Sequence, residues 1–357
     1  MKFTLPQWYD LHVHFRQRTP MAEYIKAHVA MGVCGVLAMP NTKPPVSHVS
    51  GKNTSDYWTI ENYLNDLKDA GGDSFQDIII PLYLTKDTTP KMIIEGAKLG
   101  LLRACKYYPP HGTTNADFGA SLETYMTNGV FAAMEEAGVV LNIHGEEHGL
   151  KGEEYFGQDS NAEDYFYKNK MPKLIEKFPK LKIVCEHITT KTAVEFVKNT
   201  DNNLAATITP QHLLYTVADL LQGLKYHLYC LPLVKFEKDK KSLLAAATSG
   251  HSKFFAGTDS APHTAKATDC GCAAGCFTGL IAPQLYAQAF DLGEHNIDAF
   301  KNFLCLNGPK FYGLPPAKKT FTLEKKDNQV DTLKTSDGDV IPLNIGLGQK
   351  TLPWSIV

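Results

Sequence analysis

The sequence predicts an α/β protein, and within that class a (β/α)8 barrel. Short apolar segments rich in β-branched and aromatic residues alternate with longer amphipathic segments, which is typical of strand and helix units around a parallel sheet. Eight strand-like segments can be counted, and several helical segments end at a glycine that favours a left-handed cap. Eight strands with about as many helices favour a closed barrel, with an open doubly wound sheet as the alternative.

The predicted strands are short and lie at 9–15, 35–41, 77–85, 101–108, 139–146, 181–189, 204–211 and 253–261. Amphipathic segments between them include 55–71, 121–138 and 163–178. After residue 306 the sequence becomes polar, with scattered Gly and Pro, and this stretch is too short for a robust independent domain. We therefore predict a single domain over residues 1–357, with a barrel over about 1–306 and a C-terminal extension over about 307–357 packed on the barrel.

The composition is that of a globular protein with a small net charge. The chain has 357 residues, of which 43% are hydrophobic and 21% are charged, which is enough to bury a large core. The formal net charge of −2 gives no basic surface for nucleic acid, and no run of charges indicates binding to an anionic membrane. We therefore expect a small neutral or acidic molecule as the partner.

Targeting features and cysteine usage indicate a cytoplasmic location. No apolar stretch reaches the roughly 20 residues of a membrane span, and the first ten residues lack the apolar segment of a secretion signal. Eight cysteines in a chain of this length are too sparse for a disulfide scaffold. We expect reduced thiols, mostly buried, and no association with a membrane.

Several predicted strands end in side chains that can bind metal, namely His12 and His14, Lys106, His144, His187 and Asp259. In a barrel the carboxyl ends of all strands meet at one face, which is the face that carries active sites. A single histidine in an apolar segment is more often a hydrogen-bonded core residue, but four histidines and an aspartate at corresponding strand ends are hard to explain in that way. His12 and His14 are two residues apart, so both side chains point to the same side of a strand. Neutral imidazoles and a carboxylate suit zinc, or less specifically another divalent transition metal.

Lys106 does not fit a metal site as an ammonium group, because metal ions would repel its charge. One interpretation is that it lies outside the site as a solvated or salt-bridged lysine. The other is that its amine is deprotonated and has added carbon dioxide. The resulting carbamate is an anion that can bridge two cations. The residues alone leave both interpretations open.

A series of motifs follows the whole chain: DLHVHFR at 10–16, MPNTKPPV at 39–46, KYYPPHGTTN at 106–115, IHGE at 143–146, EHITTK at 186–191, ATITPQHL at 206–213, HLYCLPLVK at 227–235, GTDSAPH at 257–263 and NGPKFYGLP at 307–315. With these motifs the chain resembles the dihydroorotases of the bacterial type, within the amidohydrolase superfamily. The H-x-H pair marks only the superfamily, whereas the full series in this order is specific. The resemblance implies a TIM-like barrel of the metal-dependent hydrolase type, and a homodimer.

The resemblance also implies a binuclear metal centre. Two Zn²⁺ per chain would be bound, one by His12, His14 and Asp259 and the other by His144 and His187. N6-carboxylated Lys106 and a hydroxide would bridge the two ions, and Asp259 would serve as general base and then as acid. The implied reaction is the reversible cyclisation of N-carbamoyl-L-aspartate to L-dihydroorotate and water, a step of pyrimidine (UMP) biosynthesis.

Substrate recognition is implied at a second set of residues. Arg16, Asn41 and His263 would bind the substrate carboxylate, the arginine because its planar fork fits two oxygens. The main chain at Leu231 and in the pair of alanines at 273–274 would bind the ring amides, and of the two alanines we take Ala274. A structural ion pair is the alternative role for Arg16.

The loop after the fourth predicted strand is implied to be mobile. Thr113 and Thr114 would belong to this loop, which closes over the substrate and excludes water. An ordinary surface turn is the alternative.

Two other metal motifs are weaker. Cys270, Cys272 and Cys276 suggest a zinc knuckle, but the three thiols lack an evident fourth ligand. His144 and His148 are four residues apart, as on a metalloprotease helix, but the motif is not H-E-x-x-H and Gly145 disfavours a helix.

Two other functions compete with the implied activity. A different cyclic amidase of the superfamily, such as a hydantoinase or an allantoinase, would share the metal ligands but would not need Arg16, Asn41 and His263 for a substrate carboxylate. A catalytically inactive barrel that serves as a scaffold would be expected to lose metal ligands, and here all of them are present.

Overall fold

The computed structural model describes residues 1–110, 112, 115–201, 203–269 and 271–357. Its strands are β1 (Lys2–Pro6), β2 (Trp8–Val13), β3 (Val33–Ala38), β4 (Val46–His48), β5 (Trp58–Thr59), β6 (Asp77–Ile79), β7 (Leu82–Tyr83), β8 (Ala104–Tyr107), β9 (Val140–His144), β10 (Ile183–Glu186), β11 (Leu204–Ile208), β12 (Phe254–Ala256), β13 (Ala267–Thr268), β14 (Gly271–Cys272), β15 (Thr320–Glu324), β16 (Asn328–Gln329), β17 (Leu333–Thr335), β18 (Gly338–Val340), β19 (Thr351–Leu352) and β20 (Ser355–Ile356).

The helices are α1 (Met21–Ala30), α2 (Ile60–Asp69), α3 (Pro90–Lys98), α4 (Leu122–Thr127), α5 (Val130–Ala137), α6 (Gly152–Tyr155), α7 (Ala162–Asn169), α8 (Met171–Lys177), α9 (Lys191–Asn199), α10 (Pro210–Leu214), α11 (Val217–Leu221), α12 (Glu237–Thr248), α13 (Ala282–Ala289), α14 (Ile297–Lys301), α15 (Asn307–Tyr312) and α16 (Leu343–Gly346). A π-helical turn, Asn302–Leu306, joins α14 to α15. In the described part of the chain, no helix is long and apolar enough to cross a membrane.

Parallel strands form the body of the structure. β2, β3 and β6 pair side by side, and β7 to β12 pair in chain order. β6 and β7 are two pieces of one barrel strand, because β6 pairs with β3 while β7 pairs with β8. Pro81 lies between the two pieces and has no amide hydrogen to donate to the ladder. The predicted strand at 77–85 is therefore present but interrupted.

The ring of strands closes where β2 meets the segment after β12. Ser260 pairs in parallel with Val13. The Asp259 amide donates to the His12 carbonyl at 2.8 Å, and the His14 amide donates to the Ser260 carbonyl at 3.0 Å. The described residues thus form a closed (β/α)8 barrel, which confirms the predicted fold and rules out the open sheet.

The floor of the barrel interior is apolar. Alternate residues of each strand point inward, and they form a buried cluster of Tyr9, Leu11, Cys34, Leu37, Met39, Ile79, Ala104, Val140, Val184, Ala205 and Phe255. Phe311 and Tyr312 of α15 pack against this cluster. Because Lys182, just before β10, donates to the Phe311 carbonyl at 2.8 Å, α15 covers the amino-terminal end of the barrel. The polar residues of the interior lie at the carboxyl end of the barrel.

The C-terminal extension packs on the barrel through the first strand of the chain. β1 pairs antiparallel with β15, and β15 pairs with β20. The ring of Phe321 lies against Gly32, where a Cβ atom would approach the Phe321 ring to 2.7 Å. Trp354 stacks on Phe3 with ring centroids 6.3 Å apart. Because both ends of the chain share this sheet, we propose that residues 1–357 fold as one domain.

Candidate active site

Polar side chains converge just above the apolar floor of the barrel. Lys106 is two residues beyond the inward-facing Ala104, and His144 is four residues beyond Val140, so the alternation of a strand turns both side chains inward. The six predicted metal ligands are all buried, with exposed fractions from 0% for Lys106 to 8% for His14.

An irregularity in β2 turns His12 toward the same interior. Between the pairs Asp10–Val36 and Val13–Ala38, two residues of β2 oppose one residue of β3, which is the pattern of a β-bulge. Leu11 belongs to the apolar floor, and the next residue, His12, already contacts the polar site. Strict alternation would have turned one of these two neighbours outward.

The first histidine pair and Asp259 form a compact cluster. Oδ1 of Asp259 lies 3.0 Å from Nε2 of His14 and 3.3 Å from Nε2 of His12. One ligand atom from each of the three residues lies within 4.8 Å of the other two, which makes this a group that could hold a metal ion. The Asn41 side-chain oxygen accepts from Nδ1 of His14 at 2.9 Å and so orients that imidazole toward Asp259.

His144 and His187 continue the same cluster. The His187 ring centroid lies 4.9 Å from that of His12 and 4.7 Å from that of His144. His187 has a φ of +37° and Asp259 a φ of +49°, so both follow their strands in the left-handed region that non-glycine residues seldom adopt. Such strained backbone is concentrated at functional sites. Nδ1 of His187 is buried and has no hydrogen-bond partner among the described residues.

Glu186 connects the metal-ligand cluster to the barrel. Its carboxylate accepts from Nδ1 of His12 at 2.6 Å, from the Asn142 amide at 2.5 Å and from the Thr207 hydroxyl at 2.8 Å. Glu186 is two residues beyond Val184 and therefore points inward with the ligands. A carboxylate on the far nitrogen of a histidine fixes the ring orientation and leaves the other nitrogen for a metal.

Glu146 has the corresponding position beside His144. Its carboxylate lies 2.8 Å from Nε2 of His144 and 3.7 Å from the Lys235 ammonium. Lys235 also donates to the Leu233 carbonyl at 3.0 Å. This chain of contacts runs outward from His144 into the loop that carries Leu231.

Lys106 lies among these groups in surroundings that make its amine easier to deprotonate than that of an exposed lysine. Its Nζ is fully buried and has no hydrogen-bond partner in the described part of the chain. Burial lowers the Lys106 pKa to about 8, and the nearby carboxylates of Glu186 and Asp259 only partly oppose this shift. The interpretation of Lys106 as a solvated or salt-bridged surface lysine is therefore wrong for the described residues.

The histidines are held mainly in the neutral form that metal binding requires. Burial lowers the pKa of His14 to about 4, with Asp259 opposing the shift. Burial lowers the pKa of His144, and burial together with His144 and Lys106 holds the pKa of His187 well below its usual value. His12 is the exception, because Glu186 and Asp259 raise its pKa against the effect of burial.

Four of the five predicted substrate-binding residues line one pocket beside the cluster. The pocket walls are His14, Arg16, Asn41, Leu231, Asp259, Ala261, Ala274 and Gly275. His263 joins this set through the Ala274 carbonyl, which lies 2.8 Å from its Nε2. The structure thus brings Arg16, Asn41, Leu231, His263 and Ala274 together next to Asp259.

The Arg16 guanidinium and the Ala274 carbonyl both approach the same ring nitrogen of His263, Nε2. The Arg16 guanidinium donates to the Pro262 carbonyl at 3.3 Å, and its Nη2 lies 3.1 Å from Nε2 of His263. The same Nε2 faces the Ala274 carbonyl, so it cannot satisfy both neighbours: it either accepts from the arginine or donates to the carbonyl. Burial, reinforced by Arg16, lowers the His263 pKa to about 3, so the imidazole is neutral. An anion between the two side chains would give the arginine a better acceptor.

Two sequence hypotheses fall partly outside the described residues. The predicted mobile-loop residues Thr113 and Thr114 lie outside them, as does Cys270 of the suggested zinc knuckle. His144 is the last residue of β9, and the nearest following helix starts at Gly152, so the metalloprotease-like helix is wrong.

Comparison with known proteins identifies the family. No protein-family model matches the chain. A curated dihydroorotase of Acaryochloris marina is 38% identical over 362 residues, and the alignment covers 100% of this chain and 99% of the relative. The chain belongs to the dihydroorotase family.

Solved structures agree with the family. A crystal structure of dihydroorotase from Saccharomyces cerevisiae in complex with 5-fluoroorotic acid has a TM-score of 0.85 and 29% identity, and covers 100% of this chain and 98% of its own. L-Hydantoinase from Arthrobacter aurescens has a TM-score of 0.77 at 15% identity, over 99% of this chain and 83% of its own, and therefore shows only the shared fold.

Sequence reasoning missed the residues behind the ligands in this member of the dihydroorotase family. Glu186 and Glu146 stand inside the motifs EHITTK and IHGE, but we assigned them no role. Alternation along β10 from Val184 would have turned Glu186 inward, and that signal was available in the sequence. Lys235 could not have been found in this way, because it lies in a loop that meets Glu146 only in the folded chain.

We expect Glu186→Gln to weaken zinc binding by about 10- to 100-fold, because the neutral amide no longer supports His12 as a metal ligand. Competition of the purified protein with a chromophoric chelator measures this affinity. Glu195→Gln is the matched control, since Glu195 is exposed on α9 and forms an ion pair with Lys191, away from the barrel interior. An unchanged zinc affinity for Glu186→Gln would show that Glu186 does not support the metal site.

Proposed function

We propose that this member of the dihydroorotase family catalyses the reversible cyclisation of N-carbamoyl-L-aspartate to L-dihydroorotate and water in pyrimidine biosynthesis. One observation supports this most strongly: His14 and Asp259, two members of the cluster that could hold a metal ion, line the same pocket as Arg16 and Asn41. A metal site of this kind serves the chemistry of an amide carbonyl. The planar guanidinium of Arg16 in the same pocket is suited to bind a substrate that carries a carboxylate.

The donor set fits zinc, and we propose two Zn²⁺ per chain. His12, His14 and Asp259 would hold one ion, His144 and His187 the other, and N6-carboxylated Lys106 would bridge them with a hydroxide. Two features support this: a fully buried Lys106 amine and a buried Nδ1 of His187, both without a hydrogen-bond partner in the described residues. Bound zinc ions would lower the pKa of a shared water and polarise the ring carbonyl.

Asp259 is suited to moving the proton. Although burial alone would raise its pKa, His12 and His14 hold the Asp259 pKa well below the usual range, so the group is a carboxylate at neutral pH. In the hydrolytic direction Asp259 accepts a proton from the attacking water and donates it to the departing amide nitrogen. In the cyclising direction it accepts the proton of the ureido nitrogen as that nitrogen attacks the side-chain carboxyl group, and it returns this proton to the carboxyl oxygen whose C–O bond breaks, so that water leaves.

Arg16, Asn41 and His263 would bind the substrate carboxylate in the same pocket. The main chain at Leu231 and Ala274 would bind the ring amides, and Thr113 and Thr114 would belong to a loop that closes over the site. We also propose a cytoplasmic location and a homodimer, which are expectations from the family.

We expect the purified protein to turn over L-dihydroorotate, followed as loss of its ultraviolet absorbance, and to leave dihydrouracil, the same ring without the carboxylate, nearly untouched. Arg16→Met removes a charge-assisted contact worth about 2–5 kcal/mol, so kcat/KM for L-dihydroorotate should fall by roughly 30-fold or more. Arg18→Met is the control, because Arg18 is two residues away and exposed. Comparable turnover of dihydrouracil or hydantoin by the wild-type protein would contradict the proposal in favour of a hydantoinase.

We expect carboxylation of Lys106 to increase between pH 6 and 8. With a pKa of about 8, about a tenth of the amine is neutral at pH 7, against on the order of 0.03% for an unburied lysine. Because only the neutral amine adds carbon dioxide, the carboxylated fraction of Lys106 increases as the pH rises. NMR of protein incubated with zinc and ¹³C-bicarbonate detects the carbamate carbon, and Lys106→Arg should abolish that signal while Lys326→Arg retains it. Full zinc occupancy without a carbamate signal at any pH would refute the bridging role.

A further inference from the structure

A buried lysine lies behind the wall of the substrate pocket. Lys266 follows His263 and opens the hairpin of β13 and β14, and its carbonyl accepts from the Ala273 amide at 2.9 Å where the hairpin ends. Only 7% of Lys266 is exposed. Although a buried charge ordinarily requires an opposite charge as its partner, the contacts of its ammonium group among the described residues are not with carboxylates.

Main-chain carbonyls take the place of that partner. The Lys266 ammonium donates to the carbonyls of Tyr229 at 2.8 Å, Ala273 at 2.5 Å and Gly275 at 2.6 Å. An ammonium has three hydrogens, so these contacts use its full donor capacity. The three carbonyls come from two separate loops, one leading to Leu231 and the other containing Ala274.

These contacts fix the direction of the peptide groups that face the pocket. In a planar trans peptide the carbonyl and the following amide point in opposite directions. Because the Ala273 carbonyl is turned toward Lys266, the Ala274 amide points away from it, and Ala274 lines the pocket. The next peptide is fixed as well, since the Gly275 amide donates to the Tyr229 carbonyl at 2.9 Å and the Ala274 carbonyl faces His263.

Gly275 packs so closely against Ala261, in the segment after β12, that a larger residue would not fit at position 275. Gly275 has a φ of +137°, and a Cβ atom there would approach Cβ of Ala261 to 2.6 Å. The carbonyls on either side of Ala274, those of Ala273 and Gly275, both accept from Lys266, so this ammonium helps to fix the orientation of the Ala274 peptide.

We propose that Lys266 is a positioning residue for substrate recognition, which ties the Leu231 and Ala274 loops together so that their main-chain groups meet the ring amides. This inference rests on the proposed function. Lys266 does not touch the pocket and takes no part in the chemistry. The main-chain groups that Lys266 positions would contact the ring amides in the ground state and in the transition state alike. Loss of these contacts therefore raises KM more than it lowers kcat.

The kinetic test compares Lys266→Met with Lys266→Arg. The methionine variant keeps the length of the side chain without its donors, and we expect its KM for L-dihydroorotate to rise by about 10-fold or more while kcat stays within about threefold and the zinc content is unchanged. Lys266→Arg keeps charge and donors and should recover part of the loss. Lys326→Met, at an exposed lysine of the extension, should match the wild type.

Hydrogen exchange tests the same inference without substrate. In Lys266→Met, amide exchange should accelerate in the segments 229–232 and 272–277 and stay unchanged in the barrel strands. Unchanged exchange in both segments, or a loss confined to kcat with KM preserved, would overturn the positioning role. Failure of the proposed function has a different signature, because the wild-type protein would then not turn over L-dihydroorotate while the exchange difference would persist.

Discussion

The candidate site depends on the seam between β2 and the segment after β12. His14 and Asp259 are 245 residues apart in sequence, yet 3.0 Å separates their side chains because the barrel closes at this point. Asp10 secures the seam from the outer side: its carboxylate accepts from the Thr258 amide at 3.0 Å and from the Thr258 hydroxyl at 2.6 Å. A barrel that failed to close here would keep most of its strands but separate Asp259 from His12 and His14.

Toward the carboxyl ends of the strands, the barrel interior changes from apolar to polar within one layer of side chains. Ala104, Val140 and Val184 give way to Lys106, Asn142 and Glu186 at the next inward positions. Buried polar groups without partners cost about 1–3 kcal/mol each. Within the described ranges the fold tolerates such groups at Lys106 and His187, which is the behaviour expected of a site built for a further component rather than for stability.

Much of this arrangement could be predicted from the sequence, because strand periodicity and strand ends are local properties. The strand count predicted the barrel, and the polar residues at the strand ends are the side chains that converge in its interior. The bulge that turns both Leu11 and His12 inward could not be predicted, since it exists only in the pairing with β3. The interruption at Pro81 was visible in the sequence and was overlooked. The contacts of Lys235 and Lys266 could not be predicted, because their partners lie on loops that meet only in the folded chain.

We propose that these strand ends form a binuclear metal centre that acts on a cyclic amide. The most direct test of this claim is to add zinc stepwise to the metal-free protein in bicarbonate buffer and to measure bound metal and L-dihydroorotate turnover on the same samples. We predict that activity rises with occupancy and reaches its plateau at two zinc ions per chain. Full activity of the metal-free protein, or no turnover with two zinc ions bound, would contradict the claim.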